Sequence, residues 1–127
     1  MWTERFDPCQ WEIRVYVYVS GPKGTMRFAF LLDTGTPCSV IDADQAVELG
    51  YSHEDRTSFI TAKGIGGRQY GYRFNAERVV AMGMDRSPCE LICEPLPDDV
   101  DGLIGLDLLR GRVLTLDFIQ GTLTLSS

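Results

Sequence analysis

Phe30-Leu31-Leu32-Asp33-Thr34-Gly35-Thr36 is the stretch on which the reading of this chain turns. Three apolar residues run without a break into Asp-Thr-Gly. A carboxylate at the end of a buried strand is costly unless neighbouring groups satisfy it. Thr34 and Thr36 offer hydroxyls, and Gly35 lets the backbone turn tightly and approach other groups closely. Taken alone, the tripeptide also fits an Asp that stabilises its own turn. The flanking sequence has to decide between the two.

Upstream, residues 11–19 alternate strictly. Trp11, Ile13, Val15, Val17 and Val19 share one face, and Glu12, Arg14, Tyr16 and Tyr18 share the other. Period two with β-branched and aromatic residues predicts a strand. Gly21-Pro22-Lys23-Gly24 is a turn, and residues 25–32 resume the alternation through Met26, Phe28, Phe30 and Leu32, giving a hairpin that delivers Asp33. Downstream, residues 42–50 predict one short helix, with Asp42 as its N-terminal cap, Ala46, Val47 and Leu49 as its apolar side, and Gly50 at the left-handed C-terminal position. Residues 57–62 and 69–74 flank the glycine-rich tip Gly64-Ile65-Gly66-Gly67 and predict a second hairpin. Residues 79–82 and 90–93 are further strands, and residues 94–101 form a Pro- and Asp-rich loop. Residues 107–110 form a helical turn, and residues 113–118 and 122–125 close a last hairpin around Gln120-Gly121. Nearly every element is a short strand, so the expected architecture is all-β, a sandwich or a barrel.

Composition narrows the function. The chain has 127 residues, which favours one domain spanning 1–127. Twelve Lys and Arg against 18 Asp and Glu give a net charge of −6, which argues against nucleic acid or an anionic membrane surface as partner. One histidine, His53, removes multi-His metal sites, and its setting in Ser52-His53-Glu54-Asp55 is that of a solvated loop. Cys9, Cys38, Cys89 and Cys93 show no Cys-x-x-Cys spacing, so no metal and no cofactor is expected. Cys38 is expected in the core, with a redox-sensitive interface thiol as the sharper alternative. Cys89 and Cys93, four apart on one strand, are poorly placed for a disulfide with each other. The run Asp98-Asp99-Val100-Asp101 lacks calcium-loop spacing and reads as solvated acid. The N-terminus carries no apolar signal core, so the expected location is the cytoplasm, with reduced thiols.

One more segment completes the pattern. Asp101-Gly102-Leu103-Ile104-Gly105-Leu106-Asp107-Leu108-Leu109 places an apolar pair before a glycine. Apolar-apolar-Asp-Thr-Gly-Thr, a glycine-tipped hairpin and Leu-Ile-Gly-Leu-Asp-Leu-Leu, in that order, resemble the retropepsin-like aspartic proteases, the single-domain retroviral and bacterial kind. The resemblance covers roughly residues 12–125 and takes in Glu48-Leu49-Gly50, Ala62-Lys63-Gly64, Met82-Gly83 and Leu116-Asp117-Phe118. It implies a closed acid-protease barrel with one or two short helices, working as a homodimer with the active site on its two-fold axis. It implies an aspartic endopeptidase acting on a polypeptide in extended conformation.

By the same resemblance, Asp33 is the catalytic carboxylate, and Thr34, Gly35 and Thr36 support its loop. The Thr36 hydroxyl would donate to the outer oxygen of Asp33. Leu103, Ile104 and Gly105 would pack beneath that loop, and Lys63, Gly64, Ile65, Gly66 and Gly67 would form the flap over the substrate. A single Asp-Thr-Gly in a chain of this length leaves the second carboxylate to another copy. Many retroviral members hold their dimers with an ion pair whose positions match Pro37 and Leu106 here, so that support is absent. The competing reading is a catalytically silent dimeric peptide-binding or scaffolding module of the same fold. Residues 56–78 carry Arg56, Lys63, Arg68, Arg73 and Arg78 against Glu77 alone, so the flap region is basic, which suggests a preference for acidic peptides.

Overall fold

The computed structural model describes residues 1–64 and 67–126, with side chains described outside 62–69. The strands are β1 Trp2–Arg5, β2 Arg14–Gly21, β3 Gly24–Leu32, β4 Val40–Asp42, β5 Arg56–Gly64, β6 Gly67–Ala76, β7 Arg78–Ala81, β8 Met84–Arg86, β9 Cys89–Glu94, β10 Gly102–Ile104, β11 Val113–Asp117 and β12 Thr122–Ser126. Two short helices interrupt them, α1 Ala43–Glu48 and α2 Leu106–Leu109, and His53–Asp55 make one 3-10 turn. Nine strands form one sheet in the order β5-β6-β9-β4-β10-β3-β2-β7-β8, and β1-β12-β11 form a second, three-stranded sheet. The large sheet curls as a half-barrel around the core.

Alternation in sequence becomes alternation in burial. On β2, Val15, Val17 and Val19 are buried while Tyr16 and Tyr18 face out, and on β3 Phe28 and Phe30 join them in the core. The pairing Val15↔Phe30 and Val17↔Phe28 sets these side chains opposite one another. Phe74, Leu91, Ile104, Leu108, Leu123 and Leu125 complete the interior.

Three expectations need correction. The strand begins at Arg14, so Trp11 lies outside it and is fully exposed. Asp7 and Pro8 cause this: the Asp7 carboxylate accepts from Cys9 N–H (2.9 Å) and its carbonyl from Gln10 N–H (3.2 Å), a turn that ends the period-two pattern. Asp42 stands at the N-cap of α1 but makes no side-chain cap bond; its carboxylate accepts from Leu96 N–H (2.9 Å) and ties down the Pro-rich loop instead. Val47 is 58% exposed, so Ala46 and Leu49 carry the apolar side of α1 without it.

Candidate active site

Asp33 sits one residue past β3, half-buried. Its position is fixed by a strand crossing beneath it. β10 pairs parallel with β3, Leu103 opposite Leu31 and Ile104 opposite Leu32, and Asp33 N–H donates to the Ile104 carbonyl (2.9 Å). Thr36 N–H closes the turn onto the Asp33 carbonyl (3.3 Å). Gly35 N–H donates to Asp33 Oδ1 (3.0 Å), so a main-chain donor rests on the carboxylate. The Thr36 hydroxyl points the other way, making a long contact with the Cys38 carbonyl (3.4 Å) rather than with Asp33. Thr34 and Gly35 are exposed at the tip of the loop.

The floor of the site is tightly built. Ile104 and Gly105 are buried and Leu103 is half-buried. A Cβ on Gly105 would lie 2.7 Å from the Cys38 carbonyl carbon and 2.9 Å from the Thr36 carbonyl oxygen. Both neighbours are main chain, so only glycine allows this approach. From the start of α2, Leu106 N–H donates to the Thr36 carbonyl (2.9 Å) and Asp107 N–H to the Pro37 carbonyl (3.1 Å).

Two residues without a sequence-assigned role hold this arrangement. Ser39 is fully buried. Asp107 Oδ1 accepts from Ser39 N–H (3.0 Å), Ser39 Oγ (2.7 Å) and Leu108 N–H (2.9 Å). Ser39 Oγ in turn accepts from Gly105 N–H (2.9 Å). The side chains of Ser39 and Asp107 thus tie the Asp33 loop to the Leu103-Ile104-Gly105 strand from one side. The signal was in the sequence: an Asp inside Leu106-Asp107-Leu108-Leu109 must find donors when its neighbours are buried.

The β5–β6 hairpin is built differently. β5 and β6 pair from Arg56 to the Gly64↔Gly67 rung. Ile65 and Gly66, at the expected tip, lie outside the described residues, as does the side chain of Lys63. β6 is anchored to β9 from Tyr72↔Cys93 to Ala76↔Cys89. Phe59 and Tyr70, farther out, are 70% and 68% exposed. Of the basic residues counted in this region, Arg73 pairs with Glu90 (3.0 Å) and Arg78 grips Asp85 with two bonds (2.9 and 2.6 Å). Arg56 lies over the Phe59 ring at 4.6 Å. Both carboxylates lie outside the stretch whose charge was counted, so less positive charge is free here than composition implies.

The remaining polar candidates have structural partners. His53 belongs to the 3-10 turn, where Ser52 and Asp55 cap one another reciprocally, and its carbonyl accepts from Arg56 (2.7 Å). Asp101 accepts from Gln45 Nε2 (3.3 Å) and Ala29 N–H (3.4 Å). Cys89 and Cys93 are buried free thiols, which burial pushes up from the ordinary range. Among the described residues, no three His, Cys, Asp or Glu side chains gather where they could hold a metal ion. Nor is any helix there long and apolar enough to cross a membrane.

The site is thus a carboxylate presented on a glycine turn at the end of β3, over an apolar-apolar-glycine strand. The family model described as aspartyl protease matches residues 15–108, and the chain belongs to that family. Among solved structures, the chain is similar to a retropepsin-like aspartic protease from Rickettsia conorii, with a TM-score of 0.68 and 18% identity over 88% of each chain. It is also similar to the EIAV protease complexed with the inhibitor HBY-793, with a TM-score of 0.59 and 19% identity over 80% of this chain and 88% of that one. At these identities the likeness speaks to the fold, which is retropepsin-like. No curated protein matches the sequence.

Proposed function

We propose that this chain is an aspartic endopeptidase whose active unit is a homodimer, with residues 1–127 acting as one catalytic domain. The observation that carries the reading is the single, half-buried Asp33, braced from below yet open above, with one main-chain donor on its carboxylate. Peptide hydrolysis without a metal needs one group to take a proton from water and another to give one to the scissile carbonyl. Two carboxylates within hydrogen-bonding reach cannot both ionise, so a facing pair shares one proton and supplies both functions. One chain offers half of that pair.

In the dimer, Asp33 of one copy faces its symmetry mate. The ionised member draws the proton from the attacking water while the protonated member polarises the carbonyl. The proton then passes to the leaving nitrogen as the tetrahedral intermediate collapses. Thr34, at the exposed tip, reaches the partner loop and fixes the separation of the two carboxylates. Gly35 leaves room for the substrate main chain, and the Thr36 carbonyl, accepting from Leu106 N–H, holds the turn to its floor. The hairpin carrying Lys63, Gly64, Ile65, Gly66 and Gly67 closes over an extended polypeptide and excludes water. The peptide pairs through its main chain, as an added strand does.

The experiment is a peptide-library digest at about pH 4 to 7, where such a dyad changes its protonation. It compares the wild type with Asp33→Asn and uses a pepstatin-type inhibitor as control. Cleavage that is inhibited in the wild type and lost in Asp33→Asn supports the reading. Cleavage that survives Asp33→Asn in a folded protein refutes it. Specific peptide binding by the wild type without cleavage would favour the silent binding module.

A further inference from the structure

We infer that the apolar rim formed by Trp11, Phe118 and Ile119 beside Asp33 is the surface on which a second copy of this chain docks. The inference rests on the homodimeric reading above and specifies where the two copies meet. Asp33 opens onto a cavity of about 350 Å³ whose wall includes Trp11, Ile13, Leu31 and Phe118. Trp11 and Ile119 are 102% and 93% exposed, and Phe118 is 61% exposed. Trp11 and Phe118 share the cavity wall with Asp33, Ile119 follows Phe118 at the same turn, and all three leave large apolar surface in solvent.

These side chains do not sit on frayed ends. The Phe118-Ile119 tip is held by Asp117, whose Oδ1 accepts from Ile119 N–H and Gln120 N–H (both 2.9 Å) and whose carbonyl accepts from Gly121 N–H (2.9 Å). Asp7 braces the segment leading to Trp11 in the same manner, through Cys9 and Gln10. The two segments are joined: Phe6 N–H donates to the Gly121 carbonyl (2.9 Å), and the Phe6 and Phe118 rings meet edge to face at 5.7 Å. Two side-chain-locked turns, clamped together, therefore fix the main chain that carries the apolar rim. Ordering cost on contact is correspondingly low.

The occupant follows from the site. The missing carboxylate must arrive next to Asp33, and the chain has no second Asp-Thr-Gly to provide it. A two-fold axis passing beside Asp33 brings the same rim of each copy against the other, an isologous contact. Buried aromatic side chains contribute roughly 150–250 Å² each, so Trp11 and Phe118 alone supply on the order of half of what one partner buries in a stable interface, and Ile119 adds to it. Each copy carries a net charge of −6, which places the attraction in apolar contact rather than in charge.

The test is the oligomeric state of the full chain by sedimentation equilibrium, for wild type, Trp11→Glu, Ile119→Asp and Val47→Asp. Trp11 and Ile119 make no part of the core, so their variants should fold, as circular dichroism would verify. Val47 is exposed on α1 and serves as the control. We expect a wild-type dimer, self-association weakened more than about thirtyfold in each rim variant, and no change in Val47→Asp. Cleavage by the rim variants should recover as protein concentration rises. Rim variants that dimerise like the wild type, or a wild type that stays monomeric, would overturn the inference. So would intact dimers in which only the KM for peptide rises, because the rim would then be a substrate wall. Dissociation of the rim variants with no cleavage by any protein would support the interface and sink the endopeptidase reading alone.

Discussion

The Asp33 loop and the β5–β6 hairpin both carry glycines beside their strands, yet they are built on opposite principles. The Asp33 loop has a strand beneath it, a buried serine beside it and a carboxylate receiving three donors. The hairpin from β5 to β6 is fastened to β9 only from Tyr72 inward, and it shows Phe59 and Tyr70 to solvent. The first is fixed by a density of satisfied buried contacts.

The contrast can be attacked at the floor first. Gly105→Ala would force main-chain atoms of Cys38 and Thr36 apart, with an expected loss of about 3 kcal/mol in urea unfolding and loss of cleavage with it. Asp107→Ala orphans the donors of Ser39 and Leu108 and should cost about 2–3 kcal/mol. Asp107→Asn keeps one acceptor and should recover part of that in the same measurement. A stability change below about 0.5 kcal/mol in Asp107→Ala would mean the brace is ornamental and the comparison is wrong.

Alkaline pH probes the seam between the two regions. Tyr72 and Cys93 form the rung where the hairpin meets β9, and burial pushes both side chains up, as it does Cys89. Above the ordinary thiol value of 9.0 the unfolded chain releases protons that the folded chain retains. Stability should therefore fall as pH rises past that point, and Cys93→Ala should flatten the decline in urea midpoints. An unchanged decline would assign it elsewhere. The smallest effects belong to the hairpin itself. Tyr70→Ser should shift stability by less than about 0.5 kcal/mol because the ring is already solvated. Peptides differing only in flanking charge should differ by less than about threefold in cleavage, because Arg73 and Arg78 already have carboxylate partners across their strands.

What could be read in the sequence follows the same division. Long strands with period-two alternation, such as β2 and β3, announced themselves, and so did the motif that places Asp33. The three-residue strands β4 and β10 did not, since Val40-Ile41-Asp42 and Gly102-Leu103-Ile104 are too short to show a period. They exist because each pairs with distant segments around the Asp33 loop. Asp42 shows how a local rule loses to tertiary demand: a good cap residue serves Leu96, 54 positions away, instead. Charge counted along residues 56–78 missed Glu90 and Asp85 because strand pairing, not sequence proximity, brings them in. Periodicity alone places Trp11 in a strand, and the Asp7 turn brings it instead to the cavity wall it shares with Asp33.

The central claim is that two chains each contribute one Asp33 to a single site. Mixing wild-type chains with Asp33→Asn chains under conditions of subunit exchange tests it directly. With equal amounts of each and total protein held constant, random pairing leaves about one quarter of the sites with both carboxylates, so activity should fall to about a quarter of that of the all-wild-type sample. Activity near one half, the value for chains acting independently, or near three quarters, the value if one Asp33 per dimer suffices, would contradict the account.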